Sequence, residues 1–383
     1  MKQAENKKHR YELGDILREY APAFLSGHTL CPVQMKAMQD IVACRTAQMK
    51  GHLMQCDRCG YREQSYNSCR NRHCNKCQFI RQAIWADLLK GRLLPGKYFH
   101  LVFTVPDSLN PLFYLNQQIC YGLLFKMAWS ALSDLCANPR FLGAQTGAVA
   151  VLHTWSSTLV YHPHVHLLVP SGGLSEDGME WVRAKEGFLV PVKVLSKIYR
   201  ARFCDQLQTM IENKTLELSE GTKLKALQEN LFKKDWVVYA KKTGKTINHA
   251  LDYLARYTNR VAIGNQRIVK VADGQVTFRY KDAKTGQYNR EMTLAVIEFI
   301  RRFMQHILPS GFYKIRYFGI LASVNSPGKK EQCLSLIDKP QYLSELEGLN
   351  AYEAWRQISG KDPSLCRKCK TGRMRLALLN STA

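Results

Sequence analysis

The chain has 383 residues, 46% of them hydrophobic, which is enough for two or three domains with cores of their own. Its 55 Lys and Arg side chains against 31 Asp and Glu give a formal net charge of +24, which favours a polyanionic partner. The sequence has no apolar run of about 18 residues and no signal peptide, so we expect no membrane partner and a cytoplasmic protein with reduced cysteines.

The first segment, residues 1–95, places a cysteine-rich stretch between two helices. Apolar periodicity predicts helices over Val33–Arg45 and Phe79–Leu93. Pro95 and Gly96 then break the second helix. We therefore predict a domain boundary at this point, with an N-terminal zinc-binding domain before it.

The stretch between these helices carries two CxxC pairs, Cys56 with Cys59 and Cys74 with Cys77, separated by 14 residues. This spacing is typical of a tetrahedral structural zinc site, because each pair can bind the same ion from a tight turn. Further candidate ligands would allow a second ion: Cys44, His52, Cys69 and His73. Whether one or two zinc ions bind stays open at this stage.

Two other features of the cysteine pattern concern its surroundings. Three cationic side chains lie on the same stretch and are candidates for DNA contact: Arg70, Arg72 and Lys76. The alternative is that they belong to a solvated loop without a partner. Far along the chain, Cys366 and Cys369 form another CxxC pair. No second pair is evident for them, so the sequence predicts no metal there.

The second segment, residues 96–320, alternates strands with helices, which predicts an α+β domain. The strand-like runs are Tyr98–Val105, Ala148–Trp155, His164–Val169, Glu180–Arg183, Phe188–Val192, Trp236–Ala240 and a hairpin of Arg267–Val271 with Val276–Tyr280. The helix-like runs are Asn110–Cys136, Leu195–Ile211, Lys223–Leu231 and Ala295–Ile307. Residues 321–383 form a basic extension with short helices at Tyr342–Glu347 and Tyr352–Ile358.

Three histidines recur at every second position of one strand: His162, His164 and His166. Alternate side chains of a strand point the same way, so these imidazoles share a face. Imidazole is a common metal ligand, and two or three of them leave positions on Mg²⁺ or Mn²⁺ open for phosphate oxygens and water. We predict His164 and His166 as ligands and His162 as the third, with His249 or a carboxylate or carboxamide as alternatives.

Two tyrosines, Tyr253 and Tyr257, lie one turn apart on a predicted helix. Arg256 and Arg260 fall on the adjoining polar side. A phenol with its ordinary pKa of about 10 is a poor nucleophile, and nearby cations ease the loss of its proton and stabilise phosphate charge. The pair is therefore a candidate for attack on a phosphodiester, and the alternative is that both rings only pack against the sheet.

In combination, these runs resemble the HUH-type (His-hydrophobic-His) rolling-circle insertion-sequence transposases that carry an N-terminal zinc-binding domain. The resemblance covers residues 30–320. It rests on Ala43–Thr46, Ser68–Cys74 with Cys77, Phe103–Pro106, Leu152–Trp155, Tyr161–His166, Gly172–Leu174, Tyr253–Tyr257 and Val276–Asp282. Asn259 stands where the family pattern has a histidine, and we assign it no role.

The resemblance implies a palm-like antiparallel HUH endonuclease sheet with flanking helices. It implies that His164 and His166 bind the divalent metal, and that Tyr253 and Tyr257 are the nucleophiles of a single-strand DNA nickase and strand transferase. One tyrosine would become 5′-phosphotyrosyl while a 3′-OH is released. The partners would be single-stranded or hairpin DNA at the element ends and target DNA, in the prokaryotic cytoplasm at the nucleoid.

Two alternative functions share part of this pattern. A plasmid or phage rolling-circle replication initiator would use the same nicking chemistry, although the zinc module ahead of the histidine strand favours a transposase. A zinc-containing regulator that only binds DNA would need the basic charge and the cysteines, but neither the histidines nor the tyrosines. Incubation with labelled single strands and Mn²⁺ separates the two classes, because only a nickase leaves a protein-linked product.

Overall fold

The computed structural model describes residues 11–220, 224–233, 235–243, 261–282 and 285–377. Within them the helices are α1 (Leu13–Leu25), α2 (Pro32–Ala43), α3 (Phe79–Arg92), α4 (Asn110–Leu115), α5 (Gln117–Ala137), α6 (Val192–Glu212), α7 (Leu224–Lys233), α8 (Val296–Met304), α9 (Glu331–Ile337) and α10 (Ala351–Ser359). The strands are β1 (Gly51–Cys56), β2 (Arg62–Tyr66), β3 (Tyr98–Thr104), β4 (Gly147–Trp155), β5 (Tyr161–Pro170), β6 (Gly172–Leu174), β7 (Trp181–Arg183), β8 (Val238–Lys242), β9 (Ile268–Ala272), β10 (Gln275–Tyr280), β11 (Arg290–Ala295), β12 (Ile315–Gly319) and β13 (Met374–Leu376).

The chain folds into two compact units that are not contiguous in sequence. The first unit comprises Met1–Leu88, Val261–Ile307 and Glu345–Ala383, and the second comprises Leu89–Arg260 and Leu308–Ser344. The sequence instead predicts contiguous segments, 1–95, 96–320 and 321–383. The difference arises because segments distant in sequence pair with the N-terminal one, which local patterns do not reveal. The assignment of functions to segments stays a prediction.

The second unit is built on a five-stranded antiparallel sheet with the strand order β12-β4-β5-β3-β8. Its central strand, β5, pairs with β3 from Tyr98 opposite Pro170 to Thr104 opposite His164. On its other edge, β5 pairs with β4. Together with the helices, these antiparallel pairings confirm the predicted α+β class.

One face of this sheet is covered by helices and the other carries the histidines. Alternate residues of β5, among them Val165 and Leu167, join a buried core with Leu124 of α5 and Phe203 of α6. Burial of each such side chain contributes about 1.5–3 kcal/mol. Because side chains alternate along a strand, the residues between them point to the opposite face, which is where His166 lies.

The first unit holds two small antiparallel sheets, β13-β1-β2 and β11-β10-β9. The side-chain oxygen of Asn265 links distant parts of this unit. It accepts hydrogen bonds from the backbone N–H of Leu13 at 3.0 Å and from the side-chain amide of Asn75 at 2.6 Å. Residues 261–307 are therefore joined to both α1 and the cysteine-rich stretch.

Most of the predicted strands and helices are present, and two are not. Phe188–Val192 is not a strand, because Pro191 is the N-cap of α6 and the helix begins at Val192. Tyr342–Glu347 is not a helix, and within it the backbone N–H of Leu346 donates to the side-chain carboxylate of Asp87 at 2.9 Å. The helix predicted around Tyr253 and Tyr257 lies outside the described residues.

None of the helices in the described ranges is both long enough and apolar enough to cross a lipid bilayer. The longest, α5 and α6, each have 21 residues. They carry polar and charged positions along their length and pack against the sheet of the second unit.

Candidate metal centres

The first cluster of potential ligands consists of four cysteines that surround the end of α2: Cys44, Cys69, Cys74 and Cys77. Their sulfur atoms all lie within 4.8 Å of one another, and the Sγ atoms of Cys69 and Cys77 are 3.8 Å apart. Two thiolates of a tetrahedral zinc site, each about 2.3 Å from the ion, are separated by ~3.8 Å. The spacing of this cluster therefore fits a zinc ion with four sulfur ligands.

Hydrogen bonds among the four thiols raise the pKa of Cys69 and Cys74 and lower the pKa of the other two. Hydrogen bonds from Cys69 and Cys74 lower the pKa of Cys44 to about 7. Hydrogen bonds from Cys44 and Cys69 lower the pKa of Cys77. Because the thiolate is the form that binds metal, both shifts favour coordination at neutral pH.

The second cluster joins cysteines from the two ends of the described chain: Cys56, Cys59, Cys366 and Cys369. Their sulfur atoms again lie within 4.8 Å of one another. The Sγ atoms of Cys56 and Cys369 are 3.7 Å apart, and those of Cys59 and Cys366 are also 3.7 Å apart. This geometry, too, fits tetrahedral coordination.

These two clusters correct the predicted zinc site. The sequence groups Cys56 and Cys59 with Cys74 and Cys77, whereas the structure places the two pairs in different clusters. The reason is the hairpin of β1 and β2. Cys56 and Cys59 lie at its turn, and β2 then returns the chain to the start of β1, where Tyr66 is opposite Gly51. At about 3.3 Å per residue, the six residues of β1 separate the two ends of the hairpin by ~17 Å.

The remaining candidate ligands divide in the same way. Cys44 and Cys69 belong to the first cluster, while His52 and His73 belong to neither. The sequence predicts no metal at Cys366 and Cys369, which is wrong about their grouping, although their CxxC spacing matches that of the other pairs. One signal was present in the sequence: the N-terminal stretch has more cysteines than one four-ligand zinc site needs, and the C-terminal CxxC pair has no partner pair near it.

A third cluster lies on the face of the central sheet opposite the helices and contains the imidazoles of His153, His164 and His166. One ring nitrogen of each lies within 4.8 Å of the others. His153 of β4 is directly opposite His164 of β5 in the strand register. Adjacent antiparallel strands thus bring the three side chains together.

His153 takes the place that the sequence assigns to His162. The register between β4 and β5 shifts between His153 and Trp155, and the pairing of β5 with β3 ends at His164. Pro163 lies immediately before His164 in the chain. It suits the end of regular strand pairing, because proline has no N–H to donate to a neighbouring strand. Beyond this point His162 does not join the cluster, and its Nδ1 is 3.5 Å from the carboxylate of Asp107.

Hydrogen bonds orient two rings of the histidine cluster. Nδ1 of His164 lies 2.7 Å from the backbone carbonyl of His162, so it carries the proton and leaves the lone pair on Nε2. Nδ1 of His166 lies 2.8 Å from Nε2 of His100 on β3. When His166 donates this bond, its Nε2 is likewise available to a metal.

Burial keeps these imidazoles neutral. It lowers the pKa of His164 to about 4 and the pKa of His100 to about 3. The pKa of His166 is also well below its ordinary value, because burial disfavours the charged ring and His153 and His164 lie close by. Neutral imidazole is the form that binds metal, so the cluster is competent at neutral pH.

Of the cations predicted to contact DNA, three lie within the described residues. Arg70 and Arg72 are exposed near the first cysteine cluster. Lys76 is exposed too, but its ammonium group is 2.7 Å from the carboxylate of Glu12, and this ion pair reduces the charge it can offer to a phosphate. Five predicted site residues lie outside the described part of the chain: His249, Tyr253, Arg256, Tyr257 and Arg260.

Comparison with known proteins identifies related sequences along the whole chain. A family profile described as "Transposase zinc-binding domain" matches residues 16–105, and one described as "Putative transposase" matches residues 147–330. The first range includes the six N-terminal cysteines of the two clusters but neither Cys366 nor Cys369, and the second includes the three clustered histidines. No solved structure matches the chain significantly.

Two curated proteins show the extent of the similarity. The chain is 40% identical to "Putative transposase y4qJ" of Sinorhizobium fredii (strain NBRC 101917 / NGR234) over 375 residues, which are 95% of this chain and 94% of the relative. It is 28% identical to "Transposase for insertion sequence element IS801" of Pseudomonas savastanoi pv. phaseolicola over 307 residues, 76% of this chain and 71% of the relative. The chain therefore belongs to the IS91-type rolling-circle transposases, with a zinc-binding domain near its N-terminus.

Proposed function

We propose that this transposase is an HUH-type tyrosine nickase and strand transferase that cuts and rejoins single-stranded DNA at the ends of its element. The observation that carries the proposal is the convergence of His153, His164 and His166 on one face of an antiparallel sheet. Such a face, backed by helices, is also consistent with the palm-like arrangement expected of HUH endonucleases. A cluster of neutral imidazoles is suited to a divalent metal that contacts phosphate.

The proposed chemistry is a transesterification at a tyrosine. The phenolic oxygen of Tyr253 or Tyr257 attacks the scissile phosphorus and loses its proton, while the bond from phosphorus to the 3′ oxygen breaks. The released 3′ oxygen takes up a proton, and the 5′ phosphate stays on the tyrosine. Attack by another 3′-OH on this phosphotyrosine reverses the step and joins strands without ATP, because the ester bond energy is retained.

His153, His164 and His166 would hold the catalytic Mg²⁺ or Mn²⁺. When bound, the ion would supply Lewis-acid polarisation of the scissile phosphate. The contribution of the chain is orientation: the carbonyl of His162 and the ring of His100 fix the rings of His164 and His166. The stacked contact of His153 with Trp155, with ring centroids 4.8 Å apart, restrains the third ring.

The first unit would recognise the DNA. We assign the structural zinc of its zinc-binding domain to Cys44, Cys69, Cys74 and Cys77, a closed ligand set that leaves no position for a substrate. Arg70 and Arg72, exposed beside this cluster, would contact phosphates of hairpin or single-stranded DNA at the element end. Such a substrate places the reaction in the cytoplasm, at the nucleoid.

The relatives distinguish the proposed function from a replication initiator, the alternative with the same chemistry. Both curated relatives are named transposases, and one is named for an insertion sequence element. The zinc-binding profile that precedes the histidine strands is likewise described as that of a transposase. We therefore expect the substrate to be the end of a mobile element.

The experiment that tests the proposal is covalent capture of DNA by the purified full-length chain. A single strand from the element end, labelled at its 3′ terminus, is incubated with Mn²⁺, and protein-linked label is measured on a denaturing gel. We expect an adduct with the native chain, none with Tyr253→Phe/Tyr257→Phe, and a normal amount with Tyr313→Phe, a control at a tyrosine that is 79% exposed. A 5′ label should instead be released on a free strand that ends in 3′-OH.

Two outcomes would contradict this assignment. If the double variant still forms the adduct, the nucleophile is another residue. If the native chain binds the strand tightly and never forms an adduct, the protein acts as a DNA-binding regulator instead. DNA binding by the double variant serves as the control for folding: if it equals that of the native chain, loss of the adduct reflects loss of the nucleophile.

A further inference from the structure

The second cysteine cluster has the features of a built metal site. Each pair forms the same kind of turn: the backbone N–H of Gly60 donates to the carbonyl of Cys56 at 3.2 Å, and that of Lys370 donates to the carbonyl of Cys366 at 2.9 Å. Gly60 and Lys370 both adopt the left-handed conformation, with φ of +67° and +58°. Two matching turns therefore present two sulfur atoms each to a common centre.

Backbone donors point at two of the four sulfur atoms and favour their anionic form. The N–H groups of Arg58 and Cys59 point at Sγ of Cys56, at 3.4 and 3.5 Å. The N–H of Gly372 donates to Sγ of Cys369 at 3.2 Å.

The sulfur separations in this cluster match shared coordination of one ion rather than disulfide bonds. The Sγ atoms of its opposed cysteines are 3.7 Å apart, whereas a disulfide bond is about 2.05 Å long. Two ligands of one zinc ion are ~3.8 Å apart. The backbone also approaches the cluster closely at Gly372, where an added Cβ would lie 2.5 Å from Sγ of Cys56.

The sheet around this cluster has little apolar core to hold it together. In β2 only one of five residues is even half-buried, and in β13 only the first is. Pairing of β13 with β1 places Met374 opposite Cys56, and Asp57 and Arg373 exchange hydrogen bonds through the side chain and backbone of Asp57. A small sheet of this kind generally needs a metal or disulfides for stability.

We propose that Cys56, Cys59, Cys366 and Cys369 bind a second structural zinc ion, which fastens residues 366–376 to the hairpin of β1 and β2. Four thiolates form a closed tetrahedral set, so the ion has a structural role and takes no substrate. Half of the ligands lie outside the matched zinc-binding domain, residues 16–105. The proposal is independent of the nicking chemistry and would stand if the tyrosine assignment failed.

Zinc content of the purified full-length chain tests the proposal directly. We expect two zinc ions per native chain and one per chain of Cys366→Ser/Cys369→Ser, measured by elemental mass spectrometry. Cys31→Ser serves as the matched control, since Cys31 is exposed, lies in the first unit and belongs to neither cluster, and it should retain two. Two ions in the double variant, or one in the native chain, would overturn the proposal.

Thiol alkylation of the native chain provides a measurement that needs no substitution. Cys31 and Cys59 are both exposed, so without a ligated metal both should be accessible to the reagent. With zinc bound, Cys31 should be alkylated rapidly, whereas Cys59 and Cys369 should react only after a strong chelator is added. Rapid alkylation of Cys59 and Cys369 before chelation would contradict the proposed site even if the serine variant fails to fold.

Discussion

His153 and His162 illustrate how a single residue position decides the composition of the metal cluster. Strand alternation alone predicts that His162 shares a face with His164, and this is the basis of the sequence prediction. The register shift between β4 and β5 removes His162 from the cluster, and His153 enters it from the neighbouring strand. A cross-strand partner of this kind is not encoded in the spacing of residues along one strand.

We predict that His153→Ala and His162→Ala differ in their effects on cleavage. Loss of a residue that hydrogen-bonds to a metal ligand typically lowers metal affinity by about 10–100-fold. Loss of a ligand itself should lower Mn²⁺ affinity at least as much. His153→Ala should therefore abolish Mn²⁺-dependent adduct formation at metal concentrations that saturate the native chain, and His162→Ala should leave it nearly unchanged. Mn²⁺ titration of single-turnover cleavage measures both, and the reverse order would restore His162 as the third ligand.

Among the strands, β3, β4 and β5 act together because each contributes an imidazole to the same region. β4 contributes His153, β5 contributes His164 and His166, and β3 contributes His100, which is 97% buried and bonded to His166. When Nε2 of His100 accepts a hydrogen bond from Nδ1–H of His166, it selects the tautomer in which Nε2 of His166 can bind metal. His100 is then a positioning residue rather than a ligand.

A test of this role compares His100→Leu with His100→Gln. Leucine offers no acceptor to His166, so Mn²⁺ affinity should fall by about 10–100-fold. The amide oxygen of glutamine can still accept the bond, and His100→Gln should recover most of the affinity. Calorimetric Mn²⁺ titration measures the difference, and thermal unfolding of both variants shows whether packing has changed. Equal affinities of the two variants would indicate that His100 only fills space.

The same strands show what the sequence can predict and what it cannot. Tyr98–Val105 and Ala148–Trp155 were predicted to within one residue of β3 and β4, because their continuous apolar runs reflect burial in the core. The strands β1, β2 and β13 were missed, since they are largely exposed and lack such a pattern. The pairing of β1 with β13 joins segments that are more than 300 positions apart in the sequence. The neighbouring cysteines Cys59 and Cys366, for example, are separated by 307 positions.

At the scale of the whole molecule, the formal charge of +24 should control affinity for DNA. Each phosphate contact releases counterions, so a protein with about 6–10 such contacts loses about 10³–10⁵ in affinity between about 50 and 200 mM salt. Lysine and arginine side chains occur throughout the sequence ranges of both units. Binding that is mainly electrostatic would tolerate changes of DNA sequence and still depend steeply on ionic strength.

We predict that the dependence of log Kd on log salt concentration is steep for the native chain and shallower for Arg70→Gln. Removal of one phosphate contact should reduce the slope by about 0.7–0.9 for single-stranded or duplex DNA. Lys36→Gln is the matched control, because Lys36 is also exposed but is paired with Asp40 at 2.9 Å. Fluorescence anisotropy with a labelled strand measures the slopes, and an unchanged slope for Arg70→Gln would remove this residue from the DNA interface.

Antiparallel pairing between β1 and β13 also determines when the first unit can be completed during synthesis. Cys59 and Cys366 are 307 positions apart. At about 5–20 residues per second, the ribosome needs ~15–60 s to add the intervening segment. Throughout that interval the edge of β1 has no β13 to pair with, and a message truncated before codon 366 yields a protein that never acquires this strand. Full-length translation is therefore a precondition for a finished N-terminal sheet.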